Sequence, residues 1–332
     1  DNPSFGPAII GRALEHEGYR VAVLAQPDWT SPDAFAAMGR PRYGVLIGAG
    51  NLDSMVAHYT AAKKRRRDDA YSPGRKAGLR PDLASVVYSN RVREAFGDIP
   101  IAIGGLEASL RRFAHYDYWQ DKVRRSVLFD AQADLLTYGM GERATKEIAR
   151  RLAAGEKPET MTDIRGTCVC VADPEVSAFP FVKVPSFEEV SRDKRAYARA
   201  NMTEYQEHDP FVGRAIVQKH GRKYLLANPP ALPLTTPEMD QVAELPYVRE
   251  PHPMYDELGG VPAIEEVRFS VTHNRGCFGA CNFCSLAFHQ GRVISARSHD
   301  SVVREVEALT RHPGFKGYIH DVGGPSATFR RP

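Results

Sequence analysis

Three cysteines, Cys277, Cys281 and Cys284, fall within eight residues as Cys-Phe-Gly-Ala-Cys-Asn-Phe-Cys. The C-x3-C-x2-C spacing lets three thiolates on one loop converge on a single inorganic centre. A 4Fe-4S cubane takes one thiolate per iron, so three local cysteines would leave one iron open to an outside ligand. A closed zinc site also takes four ligands, usually as two separated pairs. Zinc would here have to recruit His273 or His289 as its fourth ligand. Three unligated thiols packed this closely is the remaining reading. The glycine between the cysteines and the aromatic Phe283 before the last one favour the metal loop.

The other two cysteines, Cys168 and Cys170, lie two apart in Thr-Cys-Val-Cys-Val, which reads as a strand with both thiols on one face. Five cysteines, odd in number and sparse, exclude a disulfide framework. A cluster of three without a signal-peptide-like start points to a cytoplasmic metal protein with no membrane partner. The chain opens at Asp1 without methionine, which suggests that the native start lies upstream. Composition is ordinary: 42% apolar, 26% charged and 9% aromatic residues, with 27 glycines and 24 prolines. Mean hydropathy is -0.39, and no apolar run approaches the ~20 residues that span a bilayer. Disordered and collagen-like chains are excluded as well. The formal net charge of +3 is too small to imply a partner.

At 332 residues, about twice the ~150 of a typical domain, the chain predicts two domains. Residues 1–155 alternate helix and strand signals, with apolar strands at 19–25, 43–48, 99–105 and 134–139, and a helix near 142–152. Such a pattern predicts an α/β fold with a doubly wound parallel sheet. Several strands end in glycine, at Gly48 and Gly50, Gly104 and Gly105, and Gly139 and Gly141. These mark either a ligand crevice at the strand ends or plain tight turns. Residues 156–228 read as an inserted α+β subdomain. Residues 229–262 hold eight prolines and read as an extended connector. In 263–332 a strand at 267–271, the cysteine loop, a helix from about 300 to 311 and a strand at 316–322 form one βαβ unit. Val302, Val303, Val306 and Leu309 give that helix its buried stripe.

The cysteine motif, with an aromatic before its third cysteine, resembles the signature of the radical S-adenosylmethionine (SAM) superfamily. Arg275-Gly-Cys-Phe-Gly-Ala-Cys, His289-Gln-Gly-Arg292 and Asp321-Val-Gly-Gly-Pro325 are similar to the YgiQ-like family of radical SAM proteins. So are Pro3-Ser-Phe-Gly-Pro-Ala-Ile-Ile and the stretch from Gly104 to Trp119. The resemblance implies that 263–332 begins a (β/α)6 partial barrel whose loop after the first strand holds a 4Fe-4S cluster. SAM would chelate the open iron, with the Phe283 backbone near its adenine and Gly323-Gly324 meeting its amino group. Pro325 stands where an acidic residue is common. Arg292 would be a SAM contact or a strand-edge cation. The resemblance further implies an external electron donor such as flavodoxin or ferredoxin, and a chain that continues past residue 332. Related N-terminal domains bind cobalamin through D-x-H-x-x-G. Here Asp1-x-Pro3-x-x-Gly6 has proline at the histidine position, so cobalamin is not expected unless it binds without that ligand.

Two basic stretches could contact nucleic acid: 63–80, with Lys63-Lys-Arg-Arg-Arg67, Arg75, Lys76 and Arg80, and 111–125. The second brackets Phe113, Tyr116, Tyr118 and Trp119 with Arg111, Arg112, Lys122, Arg124 and Arg125. A solvated loop and a packed aromatic segment are the plainer reading. The sequence therefore predicts a cobalamin-domain-like doubly wound region followed by the start of a radical SAM barrel. Its expected chemistry is a 5′-deoxyadenosyl radical acting on an unknown substrate, with no catalytic side chain assigned. The alternative is a non-catalytic, metal-dependent nucleic-acid-binding protein.

Overall fold

Short apolar strands whose side chains alternate between two cores organise the larger part of this chain. The computed structural model describes residues 1–279, 281 and 283–325. The chain divides into a sheet unit, Leu24–Lys64 with Arg80–Leu232, and a loop unit, Asp1–Val23 with Arg65–Leu79 and Pro233–Pro332.

The sheet unit contains β1 (Val45–Gly48), β2 (Ile101–Gly104), a hairpin of β3 (His115–Asp117) and β4 (Lys122–Arg124), then β5 (Leu135–Thr137), β6 (Thr167–Val171), β7 (Phe181–Val184), β8 (Ala215–His220) and β9 (Lys223–Ala227). Among the described residues, seven of these form one sheet in the order β1-β2-β5-β6-β9-β8-β7. Ile101 and Ile103 face one core and Ala102 the other; Leu136 and Leu135 divide in the same way. The helix Ala84–Phe96 covers the first face and Glu142–Ala153 the second. This is the doubly wound arrangement, and β1, β2 and β5 are parallel as expected.

Beyond β5 the sheet turns mixed. The Tyr138 N–H donates to Gly166 O at 2.9 Å, so the chain re-enters the sheet at the carboxyl end of β5. From there it can only run antiparallel, and β6 pairs with β5 in that sense. The sheet continues through residue 227, across the position near 155 where the sequence suggests a boundary. Residues 19–25 are not a strand. Val23 is 60% exposed, and residues 1–23 belong to the loop unit, so no ladder forms to hold them extended.

In the loop unit, β10 (Ser270–Thr272) pairs in parallel with β13 (Asp321–Gly323), and β11 (Asn274–Arg275) pairs antiparallel with β12 (Ser295–Ala296). The helix His299–Thr310 connects them and packs Val302, Val306 and Leu309 against Phe269, Val271 and Phe315. Val303, expected on this stripe, is instead 45% exposed. Both predicted strands are shorter than expected. Ile264–Val267 is a helical turn with Glu265 and Glu266 at its start, so Val267 ends a helix instead of opening β10. The proline-rich span is also not simply extended. Thr235 and Glu238 form a capping box with Pro237 in the first turn, starting the helix Thr236–Ala243. Its Met239 and Val242 pack with Ile9 of the N-terminal helix Gly6–His16. No helix among the described residues is long and apolar enough to cross a membrane.

Polar side chains gather where the parallel strands end. Glu107 is buried and accepts from Ser54 N (2.8 Å), Ser54 Oγ (2.6 Å) and Ser85 N (2.9 Å). Asp53 caps the turn Ser54–His58 and pairs with buried Arg111. Gly104 lies so close to β5 that a Cβ there would sit 2.5 Å from Thr137 Oγ1, so its bareness serves the approach of two strands. On the helix Lys194–Gln206, Glu204 lines a small cleft with Arg112, Tyr138, His208 and Asn228. Burial pushes its carboxyl from 4.5 up to about 8, with Arg112 opposing the shift.

Both carboxyls make contributions that can be measured. Glu107→Ala strands buried N–H donors and should destabilise the sheet unit by about 3 kcal/mol; an unchanged urea midpoint would refute the network's role. Glu204 is protonated in the folded chain over a range where it ionises in the unfolded one. Its contribution is therefore fully present below 4.5 and is lost as pH rises through about 8. Glu204→Gln should flatten the fall of the urea midpoint between about pH 5 and pH 9. Parallel wild-type and variant curves would contradict this.

Candidate functional site

The cysteine loop hangs from β11 and is held there by backbone geometry. Gly276 has φ +86°, and a Cβ on it would collide with Val293 O, so only glycine makes this turn. The Gly276 N–H donates to Gln290 Oε1 at 3.1 Å, and the Cys277 N–H to Gly291 O at 3.1 Å. Gly291 itself has φ +85°. The His289-Gln-Gly-Arg292 motif therefore anchors the entry to the cysteine loop through Gln290 and Gly291, a role that spacing alone did not suggest.

Cys277 is buried, Cys281 exposed and Cys284 half-buried, and none is in a disulfide. A Cβ on Gly279 would lie 3.4 Å from Cys277 Sγ and 3.6 Å from Cys281 Sγ, so two of the sulfurs flank one bare glycine. The Gly279 N–H points to Cys277 Sγ at 3.4 Å, and the Cys284 N–H donates to Cys281 O at 3.0 Å. The intervening Ala280 and Asn282 lie outside the described residues, as do residues 326–332 of the expected barrel segment. Among the described residues, no three of His, Cys, Asp and Glu converge closely enough for one metal ion. Three cysteines on one loop, two of their sulfurs beside bare Gly279, are a donor set that fits a 4Fe-4S cluster. Of the two histidines considered for zinc, His273 is buried, its Nδ1 3.3 Å from Asn274 Oδ1, and His289 ends the short helix Leu286–His289.

The glycine pair meets the strand that leads into this loop. Gly323 closes β13, and its carbonyl accepts from the His273 N–H at 2.7 Å. A Cβ on Gly324 would overlap the side-chain amide of Asn274, which is fully buried. Asn274 is thus a residue of this region that sequence reasoning missed, since nothing in its local pattern marks it. Phe283 is 92% exposed and Phe278 64%, so the loop presents two aromatic faces. Arg292 is half-buried on the segment after Gly291.

Other residues with expected chemistry are placed elsewhere. Cys168 and Cys170 share the first core of the sheet unit, and burial pushes both thiols up to about 12, so they stay protonated. Arg111 and Arg112 are buried: the first pairs with Asp53, and the second lies 4.7 Å over the Tyr138 ring and 5.1 Å over Phe113. Arg124 and Arg125 both bond Asp130. Those four arginines of 111–125 are thus held by the fold, and the packed-segment reading describes them. Lys63 sits 4.6 Å over the Tyr118 ring, and Arg80 is buried against Ala49 O. At the N-terminus, Asp1 pairs with Arg12, and buried Asn2 accepts from the Ser4 N–H, so the Asp1-x-Pro3-x-x-Gly6 frame works as a helix entry.

Residues 1–270 match the model of the family described as Radical SAM N-terminal. The UPF0313 protein of Clostridium botulinum (strain Okra / Type B1) is 54% identical over 330 residues, covering 99% of this chain and 51% of its own length. The UPF0313 protein of Clostridium perfringens (strain ATCC 13124) is 51% identical over 332 residues, covering 100% of this chain and 50% of its own. The chain thus spans about half the length of the curated relatives it matches. Among solved structures, the radical SAM methyltransferase TsrM of Kitasatospora setae, with cobalamin and a 4Fe-4S cluster bound, aligns at 18% identity and a TM-score of 0.49. That alignment covers 91% of this chain and 42% of TsrM. With a single family model running from residue 1 to residue 270, the chain belongs to the radical SAM N-terminal family, among the UPF0313 or YgiQ-like proteins.

Proposed function

We propose that this protein is a radical SAM enzyme in which Cys277, Cys281 and Cys284 hold a 4Fe-4S cluster and leave one iron for SAM. The observation that carries the reading is the C-x3-C-x2-C loop hung directly from the first strands of a βαβ unit, two of its sulfurs against bare Gly279. When bound and supplied with one electron by an external donor protein, cluster and SAM supply reductive cleavage to methionine and a 5′-deoxyadenosyl radical that abstracts hydrogen from substrate. The chain's own residues position these groups. Gly276, Gln290 and Gly291 fix where the loop leaves the strand. Gly323 and Gly324 offer backbone without side chains at the end of the neighbouring strand, where an amino group could approach. Exposed Phe283 gives an adenine an apolar face beside the last cysteine, and Arg292 stands on the segment that closes the loop. Pro3 excludes a histidine ligand at that position and says nothing against a cobalamin bound without one. A cytoplasmic setting suits an oxygen-sensitive cluster with a protein reductant.

The anaerobically reconstituted protein should convert SAM to 5′-deoxyadenosine slowly when a strong reductant is added without substrate. Cys277→Ala, Cys281→Ala and Cys284→Ala should each abolish this and lower iron and sulfide content, while Cys168→Ala leaves both unchanged. Continued 5′-deoxyadenosine formation by the triple variant would sink the assignment; zinc without sulfide in the wild type would favour the non-catalytic alternative. Gly324→Val should cut SAM cleavage by roughly a hundredfold with iron retained, because small displacements at a reacting centre are costly. Adding Asn274→Gly removes the overlap inside the fold. If that double variant regained full cleavage, Gly324 would serve packing alone.

A further inference from the structure

We infer that residues 65–79 form a binding surface for the phosphodiester backbone of a nucleic acid, which makes nucleic acid the substrate class of the radical SAM site. The word substrate rests on the function proposed above; the binding itself does not. The segment carries Arg65, Arg66, Arg67, Arg75 and Lys76, all exposed, against two acids. Of these acids Asp69 is buried, and Asp68 pairs with Arg75 at 3.3 Å. The pair offsets Arg75, and five cations against two acids leave the segment with a net positive charge.

A run of cations is commonly a solvated, mobile tract, but this one is built. Buried Asp69 receives the Tyr71 N–H (3.0 Å) and the Ser72 hydroxyl (2.9 Å), and its own N–H donates to Arg75 O at 2.9 Å. Asp68 and Lys76 face each other in an isolated antiparallel bridge. Gly74 and Arg75 both take the left-handed backbone, at φ +58° and +61°. For arginine that conformation is strained, and strain of this kind collects where a loop is shaped for contact. The loop is also tied to its unit: the Gly74 N–H donates to Gly260 O, and the Ala263 N–H to Ala70 O, each at 2.9 Å. Residues 260–263 lead within one helical turn into β10 and the cysteine loop, so the basic surface is carried on the unit that holds the candidate site.

The chemistry of the surface selects among anionic partners. Four of the five cations are arginine, whose planar fork matches phosphate oxygens in pairs. Tyr71 stacks edge-on with Phe5 at 6.4 Å beside the cations, a half-exposed aromatic pair of the kind on which bases rest. A lipid surface would need large apolar side chains to insert, and residues 65–79 expose none.

The test is fluorescence anisotropy of the protein with labelled single-stranded RNA, duplex RNA and duplex DNA across a salt series, without reductant or SAM. Binding should tighten steeply as salt falls, and the three probes identify the preferred form. In Arg66→Glu/Arg67→Glu and in Arg66→Ala/Arg67→Ala/Lys76→Ala, fewer phosphates are neutralised. The slope of log affinity against log salt should then shrink by about one for each phosphate no longer held. Both variants should keep the wild-type melting temperature and the slow substrate-free SAM cleavage. No binding at low salt, a salt slope unmoved by either variant, or equal binding to vesicles rich in phosphatidylserine would overturn the inference. Failure of SAM cleavage in the wild type, with binding intact, would instead count against the proposed function alone.

Discussion

The loop unit depends on one buried carboxylate. Glu305 lies between Arg249 and Arg297, and all three side chains are almost entirely removed from solvent. Arg249 also donates to Arg268 O at 3.2 Å and Arg297 to Thr272 O at 3.2 Å. These two carbonyls lie just before β10 and at its end, so the carboxylate on the helix His299–Thr310 ties down the strand that leads through β11 into the cysteine loop. Arg297 further bonds Ser301 through both oxygens. Replacing such a triad with apolar residues is often harmless, whereas removing one member leaves a buried charge at a cost of about 3–5 kcal/mol. The triad joins the helix His299–Thr310 to the segments on either side of β10.

The strand ends of the sheet unit show what happens when polar groups find each other. An open parallel sheet leaves a crevice at its carboxyl edge, and glycines there invite a ligand. In this chain that edge holds Asp53 with Arg111, and Glu107 with Ser54 and Ser85, hydrogen-bonded among themselves. The Ala84 N–H donates in turn to Ser54 Oγ at 3.1 Å, so the start of the covering helix is bound into the same network. The glycine signals are then explained by geometry. Gly104 allows β5 to approach, and Gly50 and Gly105 take left-handed backbone at φ +98° and +81°.

Charge in this protein therefore does two kinds of work, which composition cannot separate. The arginines at 111, 112, 249 and 297 are interior, where each is matched to a carboxylate, a carbonyl or an aromatic face. Those at 65–67 lie exposed at the surface. The same residue type serves as internal staple and as surface charge, and only burial distinguishes the two.

What the sequence by itself determined is whatever is written in adjacent residues. The spacing of Cys277, Cys281 and Cys284, the family motifs, the apolar alternation of 99–105 and 134–139, and the shared face of Cys168 and Cys170 are local patterns, read without knowing any neighbour. Tertiary structure decided everything that requires a partner from far along the chain. Residues 19–25 have strand composition but no ladder, because a strand exists only beside another strand. Residues 167–227 join the first sheet because Gly166 returns to the carboxyl end of β5. The proline-rich span folds because Met239 and Val242 find Ile9. Asn274, Gln290 and Glu305 carry no mark of their roles in local sequence; each gains its role from a contact across a turn or between elements. Hydrophobic periodicity and ligand spacing are properties of short segments, while hydrogen bonds between distant groups and the burial of charge belong to the assembled fold.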